Sequence, residues 1–368
     1  MSFLASTPAS PPDSSDGGIS EGKRKRLLGS WMLCLSLCAH FVGYELVRAA
    51  SVALLTGLGD SNALGYTITA GFPLSAFALY IVHHMSRVFG VRDTLRFTQG
   101  FIVVIFAIVT YMCPTLSNSK STWSTVIIIC FYCFREIYVG VIATQNWSFV
   151  KIPYDLLVKF SGLVSVASVI GSICVEFLVN AGGVRVLLAV AIAIQIVSSA
   201  FSEVYFLLDK ENESDDPNSE ALRKSKLGKS FYVQSADLMG QNITLRLLLL
   251  EAVLHQGCSN LINQLFYDGL RRHIDSDTGR AVLIGRFFAV INLISCLMQC
   301  LVVPAVMTPR RMPSFLLSVP VLVLLGVSVA FAADESLMSV MLGFAVLKLV
   351  LLCIVCHVQE QNQPKIAL

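Results

Sequence analysis

The segment IIICFYCFREIYVGVIATQNW, residues 127 to 147, is apolar along almost its whole length, yet Arg135 and Glu136 stand side by side at its middle. A helix of about 20 apolar residues, rising 1.5 Å per residue, crosses a hydrocarbon core of about 30 Å. The segment therefore reads as a membrane crossing. An ionised residue at mid-bilayer costs at least about 2.5–3.5 kcal/mol and is retained facing a partner or a wet cavity. The two charges thus mark either a structural ion pair or the wall of a solute path.

Working outward, the same pattern fills the chain. Ten apolar runs long enough to cross occur at about 28–56, 66–88, 96–113, 122–147, 158–180, 184–207, 243–267, 281–306, 314–333 and 336–357. Of the 368 residues, 55% are hydrophobic and 14% charged, against roughly a quarter charged in soluble domains. The expected fold is an all-α, polytopic transmembrane bundle of about ten spans. Residues 1–27, rich in Ser, Pro and Gly, read as a disordered cytoplasmic tail. Residues 28–208 form a six-span N-terminal half, 209–242 a polar cytoplasmic linker, 243–357 a four-span C-terminal half, and 358–368 a polar tail. Two halves joined by a linker are the layout of carriers that hold solute at the interface of the halves, near the midplane. On a twelve-span plan the second half is two spans short.

Basic residues stay cytoplasmic near span ends. With the N-terminus inside, 17 Lys and Arg fall in inside segments and five outside, the five being Lys120, Arg185, Arg271, Arg272 and Arg280. Both termini are therefore expected in the cytoplasm. No basic patch with interleaved aromatics points to nucleic acid. No phosphate loop, zinc-protease helix or nucleophile elbow is present, so neither an enzyme nor an ATP-driven pump is expected, and no cofactor or metal is implied. The eleven cysteines lie almost wholly in the apolar runs and read as small buried hydrophobes.

The intramembrane polar residues carry the functional reading. Glu45 and Arg48, three apart, share a face of the first span. Adjacent helix residues point about 100° apart, which separates Arg135 from Glu136. Glu136 falls on the stripe Ser124, Ile128, Tyr132, Glu136, Gly140, Thr144, which looks like a cavity wall. Arg135 falls on Ile127, Phe131, Arg135, Val139, Ala143, and is expected to meet a carboxylate of a neighbouring helix. Span seven carries Glu251, His255, Ser259 and Asn263 on one ladder and Gln256, Asn260 and Gln264 on the next, and span ten carries Lys348. A doubly polar helix suits a cavity with donors and acceptors for a polar solute. Ser161, Ser165, Ser168, Ser172 and Glu176 form a small-residue packing face on span five. On span eight Asn292, Ser295 and Gln299 make a similar stripe, with Arg286 placed to snorkel toward the interface.

At spans four, seven and eight the chain resembles the ATP/ADP translocases of plastids and intracellular bacterial parasites and their bacterial major-facilitator-like relatives. The residues are REIYVG (135–140), GCSNLINQLFYDGLRRHI (257–274) and LIGRFFAVINLISCLMQ (283–299). The resemblance implies a major-facilitator-like fold and solute exchange. Of the family's transport-linked positions it sets Thr67 near a span-two lysine, Glu136 on the span-four glutamate and Gln264 on a span-seven glutamate. Only Glu136 is kept, and Lys348 is the nearest candidate for a late lysine. These departures disfavour strict ATP/ADP exchange, since polyanions need fixed positive charge along their path.

The expected function is secondary transport of a polar, anionic metabolite by alternating access, with nucleotide-like exchange included. The transport path is assigned to Glu136, Arg135, Glu45, Arg48, His255, Asn260, Gln264 and Lys348, and the partners are the lipid bilayer and a small solute. The alternative is a truncated, non-transporting scaffold or an incomplete gene model.

Overall fold

The apolar runs become helices in the computed structural model, which describes residues 16–58, 61–118, 121–149, 154–213, 240 and 263–297. Among the described residues every regular element is an α-helix: α1 (Asp16–Gly57), α2 (Ser61–Val88), α3 (Val91–Asn118), α4 (Thr122–Phe149), α5 (Tyr154–Glu213), α6 (263–273) and α7 (Asp277–Leu297). The all-α class expected from composition is what the protein adopts. α1 corrects one boundary: it opens at Asp16, so the basic run Lys23 to Arg26, read as tail, belongs to the helix.

The 49 residues Phe160–Leu208 are predominantly apolar, but one helix of that length would measure about 74 Å, more than twice a hydrocarbon core. The chain breaks at Gly182 and Gly183, and Gly183 has φ 71° and ψ −165°, a combination open essentially to glycine alone. Contacts along α1 show that the two arms fold back on each other. Phe160 packs on Trp31 at 5.0 Å between ring centroids, while a Cβ on Gly29 would lie 3.3 Å from Tyr205. Further along α1, Gly171 touches Val42, and Gly43 faces Ala191 and Ile194. Residues 160 and 205 thus share one level and residues 171 and 194 another. The arms are two antiparallel crossings, as the sequence reading of spans five and six expected.

Turn residues set the other reversals. Gly90, at φ 87°, joins α2 to α3. Ser121 caps α4 by accepting the Ser124 N–H at 3.2 Å, and Ser276 caps α7 by accepting from Gly279 at 3.1 Å. At the far end of α1, a Cβ on Gly57 would stand 2.8 Å from Asp277 and 3.3 Å from Arg280. The small residue lets this α7 ion pair close over the helix end, where a cation opposes the negative end of the helix dipole.

In lipid, helices associate through close packing and polar contacts rather than hydrophobic burial. Around α1 both are present. A Cβ on Gly171 would meet Val42 backbone at 2.8 Å, and one on Gly285 would meet Val175 at 2.7 Å, so α1, the first arm of α5 and α7 approach almost backbone to backbone. On the other side of α1, the hydroxyls of Ser36 and Ser198 each donate to the other's carbonyl at 2.9 Å. Ser202 joins Ser36 at 2.7 Å, and Gln99 of α3 reaches Ser202 at 3.4 Å. Where α1 enters, Arg96 of α3 clamps Glu203 of α5 through two contacts of 2.5 Å, with Arg92 beside it at 3.4 Å. This entry face therefore carries the basic residues of the α2–α3 turn.

Candidate functional site

Two charge pairs lie at the centre of this bundle. Glu45 and Arg48 pair along α1, and both are almost wholly buried. Glu45 is fully engaged: one oxygen accepts from Asn292 of α7 at 3.1 Å, and the other accepts from Ser172 of α5 at 3.0 Å and from Arg48. Asn292 also donates to Ser172 at 3.1 Å. The Arg48 guanidinium lies over the Phe288 ring, 3.2 Å from its centroid, and 5.5 Å from that of Tyr44. This arrangement is a knot of α1, α5 and α7. The stripes on spans five and eight, read separately from the sequence, meet at one carboxylate.

The second pair is built differently. Arg135 is 1% exposed and lies over Tyr132, 4.3 Å from the ring centroid. Among the described residues its acid is not the expected carboxylate of a neighbouring helix: Glu136 Oε1 stands 2.6 Å from Arg135 Nη2. The 100° offset applies at Cβ, and the long arginine stem spans it. The contact is made without hydrogen-bond geometry, and Arg135 Nε and Nη2 have no hydrogen-bond partner among the described residues. The Glu136 side chain is 31% exposed, and its aliphatic part packs on Gly71 of α2, where a Cβ would be 3.7 Å away. Of its stripe, Ser124, Ile128 and Tyr132 are buried, whereas Gly140 and Thr144 are exposed. Exposure along this stripe therefore begins at Glu136 and increases toward the entry face. The companion stripe through Phe131 and Arg135 turns into protein, as its composition required.

Aromatic rings join the two pairs. Tyr44 packs on Tyr138 at 6.1 Å, Tyr138 on Phe106 at 5.2 Å and on His40 at 5.3 Å, and Tyr132 on Tyr267 of α6 at 6.3 Å. His40, wholly buried, pairs through Nδ1 with Gln195 at 3.1 Å. Sequence reasoning assigned no role to Tyr44, Tyr138, Tyr267 or His40. For Tyr44, Tyr138 and His40 the sequence offered only their closeness to the charges of their own spans, and for Tyr267 it offered none.

The positions singled out by the resemblance converge on α2. A sulfur contact of 3.8 Å links Cys133 to the Thr67 carbonyl, Glu136 lies on Gly71, and a Cβ on Gly65 would meet Gln264 at 2.9 Å. Of the remaining assigned residues, His255, Asn260 and Lys348 lie outside the described residues, as does Glu251. Arg286 does not snorkel alone; its guanidinium forms a two-point pair with Glu176 at 2.8 and 2.5 Å, joining α7 to α5.

No protein-family model matches the chain. No curated protein matches it either. Among solved structures it is similar to the xylose transporter XylE from E. coli in a partially occluded inward open conformation, with a TM-score of 0.51 and 14% identity, over 91% of this chain and 87% of that one. The fold is major-facilitator-like. At this identity the likeness concerns the path of the helices. The likeness agrees with the major-facilitator-like fold expected from the sequence and does not extend to the ATP/ADP translocases.

Proposed function

We propose that this protein is a secondary carrier, and not an enzyme, that moves a small polar, anionic solute across a membrane by alternating access. The observation that carries the reading is Arg135, a guanidinium buried at the middle of its span whose acid among the described residues is its own chain neighbour Glu136, a carboxylate left partly exposed. Buried ion pairs stabilise poorly against apolar packing, which favours a role for this one beyond structure. The Glu45–Arg48 knot illustrates the structural solution in the same molecule. In this reading Arg135 and Glu136 contact solute, Gln264 flanks them, and Glu45 with Arg48 holds the helices that move together.

The entry face, which carries Arg87, Arg92 and Arg96, is the cytoplasmic one in this reading, consistent with the distribution of basic residues. The open stripe from Glu136 through Gly140 to Thr144 then leads inward. Nucleotides belong to the solutes through the family resemblance, but among the described residues Arg135 is the one guanidinium placed beside Glu136, which suits a singly charged group better. Uptake of a labelled panel of carboxylates, phosphates and nucleotides into proteoliposomes tests the proposal. Saturable, trans-stimulated uptake of at least one is expected. Its absence for every member, with folded protein verified, refutes transport.

A further inference from the structure

The basic run near the start of α1 takes no part in the solute path. Because α1 is unbroken from Asp16 to Gly57 while its apolar span opens at Leu27, Lys23, Arg24, Lys25 and Arg26 form the helical turn just outside the hydrocarbon. At 1.5 Å per residue they occupy the first stretch of about 1.5–6 Å beyond it. The headgroup layer on each side of a bilayer is about 5–7 Å deep. The helix thus holds four bases at the depth of the lipid phosphates, where a disordered tail would carry them into water.

Exposure shows which way this turn faces. Arg24, Leu27, Leu28, Trp31 and Leu35, three or four residues apart, are exposed, whereas Gly29, Leu33 and Ser36 behind them are buried. One stripe of α1 therefore passes from apolar side chains through an interfacial tryptophan to a base, matching a phospholipid from acyl chain to phosphate. Charge at this end selects the lipid. Residues 16–26 hold four bases against Asp16 and Glu21, and Arg24 enters no ion pair among the described residues. On the same face Arg96 is already engaged by Glu203 and Asp93, and Arg92 by Glu203.

We propose that the start of α1 is a binding site for anionic phospholipid in the leaflet at the entry face. The charge of the run 23–26, with Arg24 on the lipid side, holds the headgroup phosphate, and the stripe of Leu28, Trp31 and Leu35 lies against an acyl chain. A free phosphate ester has no chain for that stripe. The site lies apart from the central charge pairs, so it stands or falls independently of the transport reading.

Trp31 lies on the stripe and serves as the reporter. The full chain carrying Trp123→Phe and Trp147→Phe, which leaves Trp31 as its one tryptophan, is reconstituted in phosphatidylcholine bilayers containing brominated phosphatidylglycerol or brominated phosphatidylcholine. Quenching of its fluorescence gives the local share of each lipid. A base near the membrane surface contributes about fivefold, so two net positive charges should favour phosphatidylglycerol about 25-fold at low salt, and high salt should erase the preference. Arg24→Gln should lower it about fivefold. Changing all four bases to Gln, a good helix former, should abolish it without altering the melting of the protein. Should that variant fail to fold, Arg24→Gln alone decides. Equal quenching by the two lipids, a preference that persists in high salt or in either folded glutamine variant at its wild-type value, or its loss on adding glycerol 3-phosphate each overturns the proposal.

Discussion

Removing the carboxylate of Glu45 should be among the most damaging single changes to the stability of this protein. Its partner Arg48 is 7% exposed and has no other acid within reach among the described ion pairs. Glu45→Ala therefore leaves a buried, uncompensated guanidinium, a defect that costs about 3–5 kcal/mol, or roughly a 150- to 5,000-fold rise in the unfolded fraction. The double change Glu45→Leu with Arg48→Met removes both charges at similar volume and should restore most of the loss, since such replacements are often neutral. What remains is the bonding of Ser172 and Asn292 to the lost carboxylate. Membrane hydrogen bonds average about 0.6 kcal/mol, and Asn292 keeps Ser172 as a partner at 3.1 Å, so the double variant should lie about 1 kcal/mol below wild type. Equilibrium unfolding in mixed detergent micelles measures the ordering. A double variant as unstable as Glu45→Ala would refute the knot, because the loss would then come from packing or solute-site geometry rather than an orphaned charge.

Gly171→Ala should destabilise by about 1–3 kcal/mol through overpacking, since its Cβ would strike Val42 backbone at 2.8 Å, whereas Gly100→Ala, with nothing within 4 Å, should be neutral or stabilising by up to about 1 kcal/mol; unfolding of both in parallel checks the contrast. Gly183→Ala should cost about 1–3 kcal/mol by forcing a side chain into a glycine-only conformation, seen as earlier proteolytic cutting at the tip of the α5 hairpin, and unchanged cutting would contradict it. In uptake assays Glu136→Gln should change transport far more than Glu176→Gln, because Glu136 lies on the open stripe while Glu176 is held by Arg286; equal effects would mean the wrong face has been chosen.

Much of the fold was legible because lipid imposes length and composition so strictly. The runs at 28–56, 66–88, 96–113 and 122–147 lie within α1 to α4, and the Gly182–Gly183 break falls in the gap between the runs 158–180 and 184–207. The site was legible only in part. Single-helix periodicity found Glu45 with Arg48, the stripe of Glu136, and the polar faces of spans five and eight. It erred on Arg135 because side-chain reach is not fixed by the angle between Cβ atoms. It missed Tyr44, Tyr138 and Tyr267 because an aromatic ring in an apolar span is distinguished at most by closeness to a charge, which does not say which rings meet.

Composition and periodicity by themselves determined an all-helical membrane protein with charges where lipid forbids unpaired ones, since the cost of burying a charge or an open peptide group holds whatever the topology. Only tertiary structure decided which charges close on each other and which stay open. Glu45 becomes a knot because Ser172 and Asn292, 127 and 247 residues away in sequence, arrive at its oxygens. Arg135, wholly buried, closes instead on its chain neighbour Glu136, whose side chain stays partly exposed.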